Sequence, residues 1–269
     1  MTLPLYLVDA FADQPFTGNP AAVVPLDTWL PDDTLQAMAA EHNLSETAFF
    51  VPTTDETADF DIRWFTPTVE VPLCGHATLA SAHILYTELG FGKETLRLAT
   101  RTKGVLTVTQ AGKDLYTLSL GAESQKNIAL ADALAAKLRL TVLEAYQGDY
   151  LMLVLPDAKA VEAYVPDFAA IAATGHEVII TAAGPQTGSY AGLDFVSRMF
   201  APSAGINEDP VTGSAHAQLT PYWSLVLQKT DLQAAQIGPR PGRLSASLQG
   251  SRVVLTGAAR TYAKGQILL

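Results

Sequence analysis

The sequence predicts a mixed α+β fold of two pseudo-symmetric lobes, each a mostly antiparallel, barrel-like sheet around a central helix. The first observation behind this prediction is an internal repeat. Residues 63–72 and 198–210 share an Arg, a Phe-x-Pro and a Glu-x-Pro in the same order. The segment between the Phe-x-Pro and the Glu-x-Pro is three residues longer in the second copy. A self-match of this kind indicates duplication of a structural unit.

Two further observations concern the elements on either side of the repeat. Residues 59–65 alternate apolar and polar side chains with period two, which predicts a strand. Beyond each repeat, residues 77–89 and 215–227 form a helical pattern with Ala, Ser and Thr on several faces. A helix with small side chains all round is better explained as surrounded by protein than as a surface helix.

The other elements follow from apolar periodicity and turn residues. A helix is predicted over residues 31–42, with Pro31 at its first position, Asp32 and Asp33 in its first turn and Asn43 at its end. Further helices are predicted over residues 132–138, 158–164 and 167–173. Strands are predicted over residues 5–11, 21–24, 44–51, 96–98, 104–109, 115–120, 151–155, 178–181, 193–200, 243–248, 252–256 and 258–269.

The length and charge of the chain limit its organisation and partners. A chain of 269 residues fits two lobes, predicted as residues 1–116 with 258–269, and residues 117–257. The net charge of −10 argues against binding to nucleic acid or to an anionic membrane. No apolar run is long enough to cross a bilayer, no basic region of a signal peptide is present, and Cys74 is the only cysteine. These features predict a cytoplasmic protein without an internal disulfide.

Each repeat leads into a glycine that opens a helix. Gly75 follows Cys74, and Gly213 follows Thr212. The first turn of a helix has unpaired backbone N–H groups, whose partial positive charge favours an anion. Two such ends facing one cleft would hold a carboxylate and stabilise a developing negative charge. The alternative is that both glycines open ordinary buried helices, but their recurrence before a polar residue favours function.

Glu46 is the candidate acid or base. It lies where a loop enters a strand, close to Phe49 and Phe50. Partial desolvation beside the two rings would raise the pKa of its carboxyl toward neutrality. The alternative is an exposed surface glutamate, and the residue pattern leaves both open.

Four more residues at the helix starts are candidates. His76 could donate to a substrate carboxylate or relay a proton, or make a local hydrogen bond. Asp209 could orient a substrate group or cap a turn, and Ser214, in the place of His76, could be a capping hydroxyl. Cys74 is a weak nucleophile candidate, because a helix start lowers a thiol pKa, and it fits better as a buried small residue.

Sequence motifs for metals and cofactors are absent. The five histidines show no spacing typical of ligands, and His76 and His83 lie seven residues apart, which fits ordinary packing. There is no dinucleotide-binding glycine motif, no phosphate-binding loop and no nucleophile elbow. We therefore predict no metal and no nucleotide cofactor.

Together the motifs resemble the PhzF (phenazine biosynthesis-like) family, within the diaminopimelate-epimerase-like superfamily. The matching stretches run through most of the chain, at residues 8–11, 16–23, 43–49, 63–67, 74–78 and 208–215. The resemblance implies two lobes, each a barrel-like sheet around a central helix, with the active site between them. It also implies a cofactor-free isomerase, commonly a homodimer.

The resemblance assigns roles residue by residue. Glu46 corresponds to the acid/base that moves a proton. The accompanying catalytic residues are His76, Asp209 and Ser214, and the substrate-binding positions are Gly75, Gly213, Cys74 and Thr212. Related epimerases have a cysteine at each helix start, whereas Thr212 stands at the second place here. Residues 236–243 also depart from the run found in many members, so the resemblance leaves the substrate open.

The function predicted from these residues is proton transfer within a small carboxylate metabolite, by acid/base catalysis with Glu46 in the cleft between the lobes. One alternative is an amino- or hydroxy-acid epimerase or racemase with Cys74 and Glu46 as opposed bases. Another is a non-catalytic relative that binds a metabolite in the same cleft.

Overall fold

The computed structural model describes residues 1–129 and 132–269. Its strands are β1 (Thr2–Ala10), β2 (Asn19–Pro25), β3 (Glu46–Pro52), β4 (Phe60–Phe65), β5 (Glu70–Val71), β6 (Thr95–Ala99), β7 (Val105–Gly112), β8 (Leu115–Gly121), β9 (Lys126–Ile128), β10 (Glu144–Gln147), β11 (Leu151–Val154), β12 (Val178–Ala183), β13 (Phe195–Ala201), β14 (Ile206–Asp209), β15 (Asp231–Gln236), β16 (Gly242–Gln249) and β17 (Arg252–Leu268). Its α-helices are α1 (Asp32–His42), α2 (Gly75–Thr87), α3 (Asp132–Leu138), α4 (Ala158–Ala163), α5 (Phe168–Ala172) and α6 (Gly213–Leu227).

The described residues divide into two compact units. The first consists of Met1–Ser119 with Thr256–Leu269, and the second of Leu120–Leu255. Among the helices of residues 1–129 and 132–269, none has the length and apolar character needed to span a membrane.

The first unit is a closed barrel of eight strands. Around the barrel, β17 pairs with β1, β1 with β2, β2 with β3, β3 with β4, β4 with β6, β6 with β7, β7 with β8, and β8 returns to β17. The β2–β3 and β4–β6 pairs are parallel, because the intervening chain crosses over through α1 or α2. Closure leaves none of these eight strands with a free edge.

The second unit repeats the same order of pairings. β10 pairs antiparallel with β11, β11 parallel with β12, and β12 antiparallel with β13, as β1 to β4 do. β13 then pairs parallel with β15, and β15 antiparallel with β16, as β4, β6 and β7 do. Along the chain, α6 is followed by β15 as α2 is followed by β6. The repeat seen in the sequence is therefore a repeat of topology, and the predicted fold class is confirmed.

The two central helices begin at the repeated glycines. α2 is buried from Gly75 to Leu85, and α6 has buried residues on several faces between Gly213 and Ser224. Small side chains let strands approach closely, and several hydroxyls donate to the carbonyl four residues earlier, as from Ser81 to Ala77 at 2.8 Å. The prediction that both helices are surrounded by protein is confirmed.

The structure corrects several predicted boundaries. The strands predicted over residues 252–256 and 258–269 form one continuous strand, β17, since Gly257 lies in the sheet and not in a turn. A Cβ atom at residue 257 would meet the Phe11 ring at 2.3 Å, so only glycine fits there. In α1, Pro31 precedes the first helical residue, while Asn43 ends the helix in the left-handed conformation. Five short strands, β5, β9, β10, β14 and β15, were missed because they are too short or too polar to show a period.

A buried arginine marks the same place in each repeat. Arg63 donates to both carboxylate oxygens of Glu70 at 2.8 Å, and Arg198 donates to both oxygens of Glu208 at 2.7 and 2.8 Å. Each guanidinium also lies over the ring of the phenylalanine two residues later. A buried charge requires such a partner. The two pairs, which we call the arginine clamps, therefore fix β5 and β14, the short strands that lead to the central helices.

We predict that the clamp in the second unit is strongly coupled. In a double-mutant cycle with Arg198→Met and Glu208→Gln, measured by urea unfolding, we expect a coupling energy of at least about 2 kcal/mol, because each single change leaves a buried charge without its partner. The exposed pair Lys264–Glu88, whose Nζ and Oε2 atoms lie 2.6 Å apart, is the control and should couple by less than about 1 kcal/mol. Equal coupling in the two cycles would contradict this role for the clamp.

Candidate active site

The first candidate half-site lies at the start of α2, in the first unit. Cys74 is the residue before the helix, with extended backbone, and Gly75 is the first helical residue. Asn19 begins β2 and Glu46 begins β3, and these strands pair in parallel with Ala21 opposite Glu46. Parallel strands begin at the same edge of a sheet, so Asn19 and Glu46 can both reach the helix start.

His76 connects these residues. Its Nδ1 accepts a hydrogen bond from Asn19 Nδ2 at 3.0 Å, since an amide nitrogen can only donate. Its Nε2 lies 3.2 Å from Glu46 Oε2, close enough for a hydrogen bond but not aligned as one. With Nδ1 accepting, the neutral ring has its proton on Nε2, the nitrogen that faces the Glu46 carboxyl.

Burial keeps the His76 ring neutral. Its side chain is 4% exposed, and desolvation lowers the pKa of His76 to about 3, because a medium of low dielectric disfavours the imidazolium. The Glu46 side chain is 12% exposed. A neutral N–H donor therefore faces a sheltered carboxyl and keeps the same protonation state through neutral pH.

The surroundings of Glu46 differ from the predicted ones. Phe49 and Phe50 are both buried, but their rings pack edge-on against those of Phe65 and Phe60. His76, which is distant along the chain, is a polar neighbour of Glu46. Glu46 is thus neither an exposed surface glutamate nor a carboxyl defined by the two adjacent rings.

The second candidate half-site lies at the start of α6, in the second unit. Thr212 precedes the helix, its hydroxyl donates to Asp209 Oδ2, and its backbone N–H donates to Gln236 Oε1 at 3.0 Å. Gln236 Nε2 in turn donates to the backbone carbonyl of Asp209. Asp209 is buried, and these contacts hold the loop before α6 to the end of β15.

Ser214 has a tyrosine partner in this unit. Its Oγ and Tyr150 Oη share a hydrogen bond of 2.7 Å. Burial raises the pKa of the Tyr150 phenol, which keeps it protonated. Gln218 fixes the Tyr150 backbone by accepting from its N–H and donating to its carbonyl, both at 3.1 Å. The two half-sites therefore differ, with a histidine–carboxyl pair in the first and a pair of hydroxyls in the second.

Three residues of these half-sites were not among the predicted site residues. Asn19 lies within residues 16–23, one of the stretches that resemble the family, so the sequence contained a signal that could have identified it. Tyr150 and Gln236 belong to no motif, and only the fold brings them to α6. His83, one of the histidines considered for its spacing, bonds to Tyr116 and Thr261 at 3.0 Å each and takes no part in the half-site.

A sequence model of the phenazine biosynthesis-like protein family matches residues 8–265. The chain belongs to this family. A Pseudomonas aeruginosa protein named as an uncharacterised isomerase is 46% identical over 269 residues and is matched over 100% of both chains. A crystal structure of a PhzF family protein from Enterococcus faecalis is similar with a TM-score of 0.92 and 43% identity, over 100% of both chains.

A more distant structure shares the fold alone. A hydroxyproline epimerase from Agrobacterium vitis, crystallised with trans-4-hydroxy-L-proline, matches with a TM-score of 0.61 at 14% identity. The match covers 99% of this chain and 92% of that protein. This chain and that epimerase therefore share a fold.

A second buried histidine follows the second half-site. His216 Nδ1 donates to the Thr212 carbonyl at 2.8 Å, while Nε2 is buried without a hydrogen-bond partner. Burial lowers the pKa of His216 to about 4 from an ordinary value of 6.5. In the unfolded chain His216 binds a proton as the pH falls below 6.5. In the folded chain it does so only at about pH 4. His216 therefore destabilises the fold progressively as the pH falls through this window.

We predict that His216→Asn reduces the pH dependence of stability. Between pH 6.5 and 5, where most carboxyls stay ionised, the variant should lose less free energy of unfolding than the wild type, by up to about 1.4 kcal/mol per pH unit. Urea unfolding at several pH values measures this difference. His176→Asn, at an exposed position, is the control and should keep the wild-type dependence. An unchanged slope in His216→Asn would contradict the account.

Proposed function

We propose that this protein is a cofactor-independent isomerase that moves a proton within a small carboxylate metabolite, with Glu46 as the acid/base. The observation that carries the proposal is the sheltered Glu46 carboxyl, 3.2 Å from the Nε2 of a neutral His76 at a glycine-opened helix start. The isomerase name of the Pseudomonas aeruginosa relative and the epimerase fold of the distant neighbour support it.

In the proposed reaction, Glu46 removes a proton from a carbon next to a carbonyl or carboxyl group and returns it to another carbon of the conjugated system. The charge that develops on the substrate oxygen is stabilised by the backbone N–H groups of Gly75 and His76, at the positive end of α2. The Nε2–H of His76 lies beside the carboxyl and does not take the transferred proton, because its ring resists protonation.

We further propose that Asp209 and Ser214 of the second unit take part in substrate binding. Ser214 would offer its hydroxyl, whose orientation Tyr150 restricts, and the Gly213 amide would offer a further donor. Cys74 and Thr212 precede the two helices, and each would contribute to substrate binding at its own helix start. A homodimer in the cytoplasm remains a prediction from the resemblance and the composition.

The alternative with Cys74 and Glu46 as opposed bases fits the geometry less well. Bases on opposite faces of one carbon each lie about 3 to 3.5 Å from it, and so about 6 to 7 Å from each other. The donor atoms of Cys74 and Glu46 lie within 4.8 Å. This distance favours a single carboxylate that moves the proton over a two-base inversion by this pair.

We predict that Glu46→Gln abolishes proton transfer. A panel of small carboxylic acids incubated with the protein in heavy water, and read by mass spectrometry, identifies a substrate through isomerisation or uptake of solvent deuterium. The variant should then turn over about 10²–10⁴-fold more slowly, since it lacks the acid/base, while its melting temperature changes little.

The matched control is Glu41→Gln, at an exposed position of α1, which should keep wild-type turnover. Normal turnover by Glu46→Gln would exclude Glu46 as the proton carrier. If the protein binds carboxylic acids of the panel but none of them isomerises or takes up deuterium, the result would favour a non-catalytic binding protein.

A further inference from the structure

The first half-site contains three side chains that bind transition metals. The Glu46 carboxyl, the Cys74 thiol and the His76 ring have donor atoms within 4.8 Å of one another. Among residues 1–129 and 132–269, they form the one group of three His, Cys, Asp or Glu side chains with this property. Cys74 and His76 are buried, unlike the surface carboxylates that often cluster without an ion. Thiolate, imidazole and carboxylate are the ligands that Zn²⁺ takes in proteins.

The distance between the Cys74 thiol and the nearer ring nitrogen of His76 suits a tetrahedral ion. With Zn–S and Zn–N bonds of about 2.3 and 2.0 Å, a sulfur and a nitrogen ligand lie about 3.5 Å apart. Cys74 Sγ lies 3.5 Å from His76 Nδ1. Glu46 Oε2 lies 3.2 Å from the other ring nitrogen, Nε2, so a Glu46 oxygen completes the three ligands only after its side chain rotates toward the Nδ1 side of the ring.

We propose that this half-site binds a Zn²⁺ ion through Cys74, His76 and Glu46, and that the ion inhibits the enzyme by occupying the acid/base. Binding of the ion stands on the geometry alone, whereas inhibition rests on the proposed function. The ion occupies the Glu46 carboxylate and the helix start, so substrate and metal exclude each other. The metal acts here as a regulator and takes no part in the reaction.

Binding requires a local rearrangement around Asn19. The Asn19 amide now donates to His76 Nδ1, the nitrogen closest to the thiol. Rotation of the amide by half a turn replaces its N–H by its carbonyl oxygen, which can accept the fourth coordination position or a bound water. The rearrangement therefore exchanges the hydrogen bond from Asn19 to His76 for a metal ligand.

The second repeat offers an internal contrast. At the start of α6, the positions of Cys74 and His76 hold Thr212 and Ser214, which have only hydroxyl groups. Hydroxyls are poor ligands for a soft or borderline ion. The same scaffold thus has a metal-binding set in one unit and lacks it in the other, and one ion per chain is expected.

Metal binding is tested without turnover. Zn²⁺ is titrated against a chromophoric chelator, and Co²⁺ is added in its place to detect the charge-transfer absorption of a cobalt–thiolate bond. We expect one site per chain and that absorption band in the wild type. Cys74→Ser and His76→Asn should each weaken Zn²⁺ binding by more than about 100-fold, since even groups outside the ligand set contribute 10–100-fold. Glu46→Gln should weaken it by at least about 10-fold.

His176→Asn is the control, because an exposed histidine is the usual source of adventitious binding, and it should keep wild-type affinity. Circular dichroism of each variant without metal shows that it is folded, and His76→Asn decides the matter if Cys74→Ser does not fold. Unchanged affinity in the ligand variants, or Co²⁺ binding without the thiolate band, would overturn the site.

Inhibition is then measured on the wild type with a substrate found in the heavy-water panel. Zn²⁺ should inhibit with the affinity found by titration, and a chelator should restore the rate. If Zn²⁺ binds tightly but does not inhibit, the proposed regulation is wrong, while the metal site itself is supported. Absence of any substrate would count against the proposed function, while the binding result would stand unaffected.

Discussion

The first half-site depends on the buried, neutral imidazole of His76. The Asn19 amide donates to one of its nitrogens, and the Glu46 carboxyl lies beside the other. Placing His76 in the interior costs solvation of its charged form, and its lowered pKa is the measure of that cost. The arrangement needs Asn19, Glu46 and the start of α2 to lie together. The parallel pairing of β2 with β3 provides this, since both strands begin beside the same helix end.

The barrel of the first unit follows from the same requirement. A helix with small side chains on every face can be buried only if strands surround it, and a closed sheet does so without leaving a free edge. The arginine clamp then fixes the short strand that leads to Cys74. Glu46 and His76 are thus positioned by regular elements, and a site on regular elements is more precise than one on loops.

Duplication preserved the scaffold and changed the chemistry. Both units keep the order of strand pairings, the clamp and the glycine at the helix start, because these positions carry the packing. At the helix start itself, Cys74 and His76 of the first unit correspond to Thr212 and Ser214 of the second. The start of α2 therefore presents a thiol and an imidazole, whereas the start of α6 presents two hydroxyls.

Sequence reasoning predicted what depends on local pattern and missed what depends on distant contact. The repeat, the small-residue helices and the alternating strands were sufficient for the fold class, because each is a property of consecutive residues. The short polar strand β15 and the continuous strand through Gly257 were not predictable, since one lacks a period and the other depends on the Phe11 ring. Glu46 and His76 could be nominated from motifs, but the contact between them, and the tyrosine behind Ser214, exist only in the folded chain.

The most direct test of this account is the protonation of His76, read from nitrogen-15 NMR of histidine-labelled protein, with His76→Asn to assign the signals. The account predicts a neutral ring with its proton on Nε2 and a bare, hydrogen-bonded Nδ1, unchanged from neutral pH to about pH 4, above the lowered pKa of about 3. Replacing Asn19 by Leu should disturb the Nδ1 signal first, because it removes the donor. A proton on Nδ1 in the wild type, or an imidazolium at neutral pH, would contradict this arrangement of Asn19, His76 and Glu46.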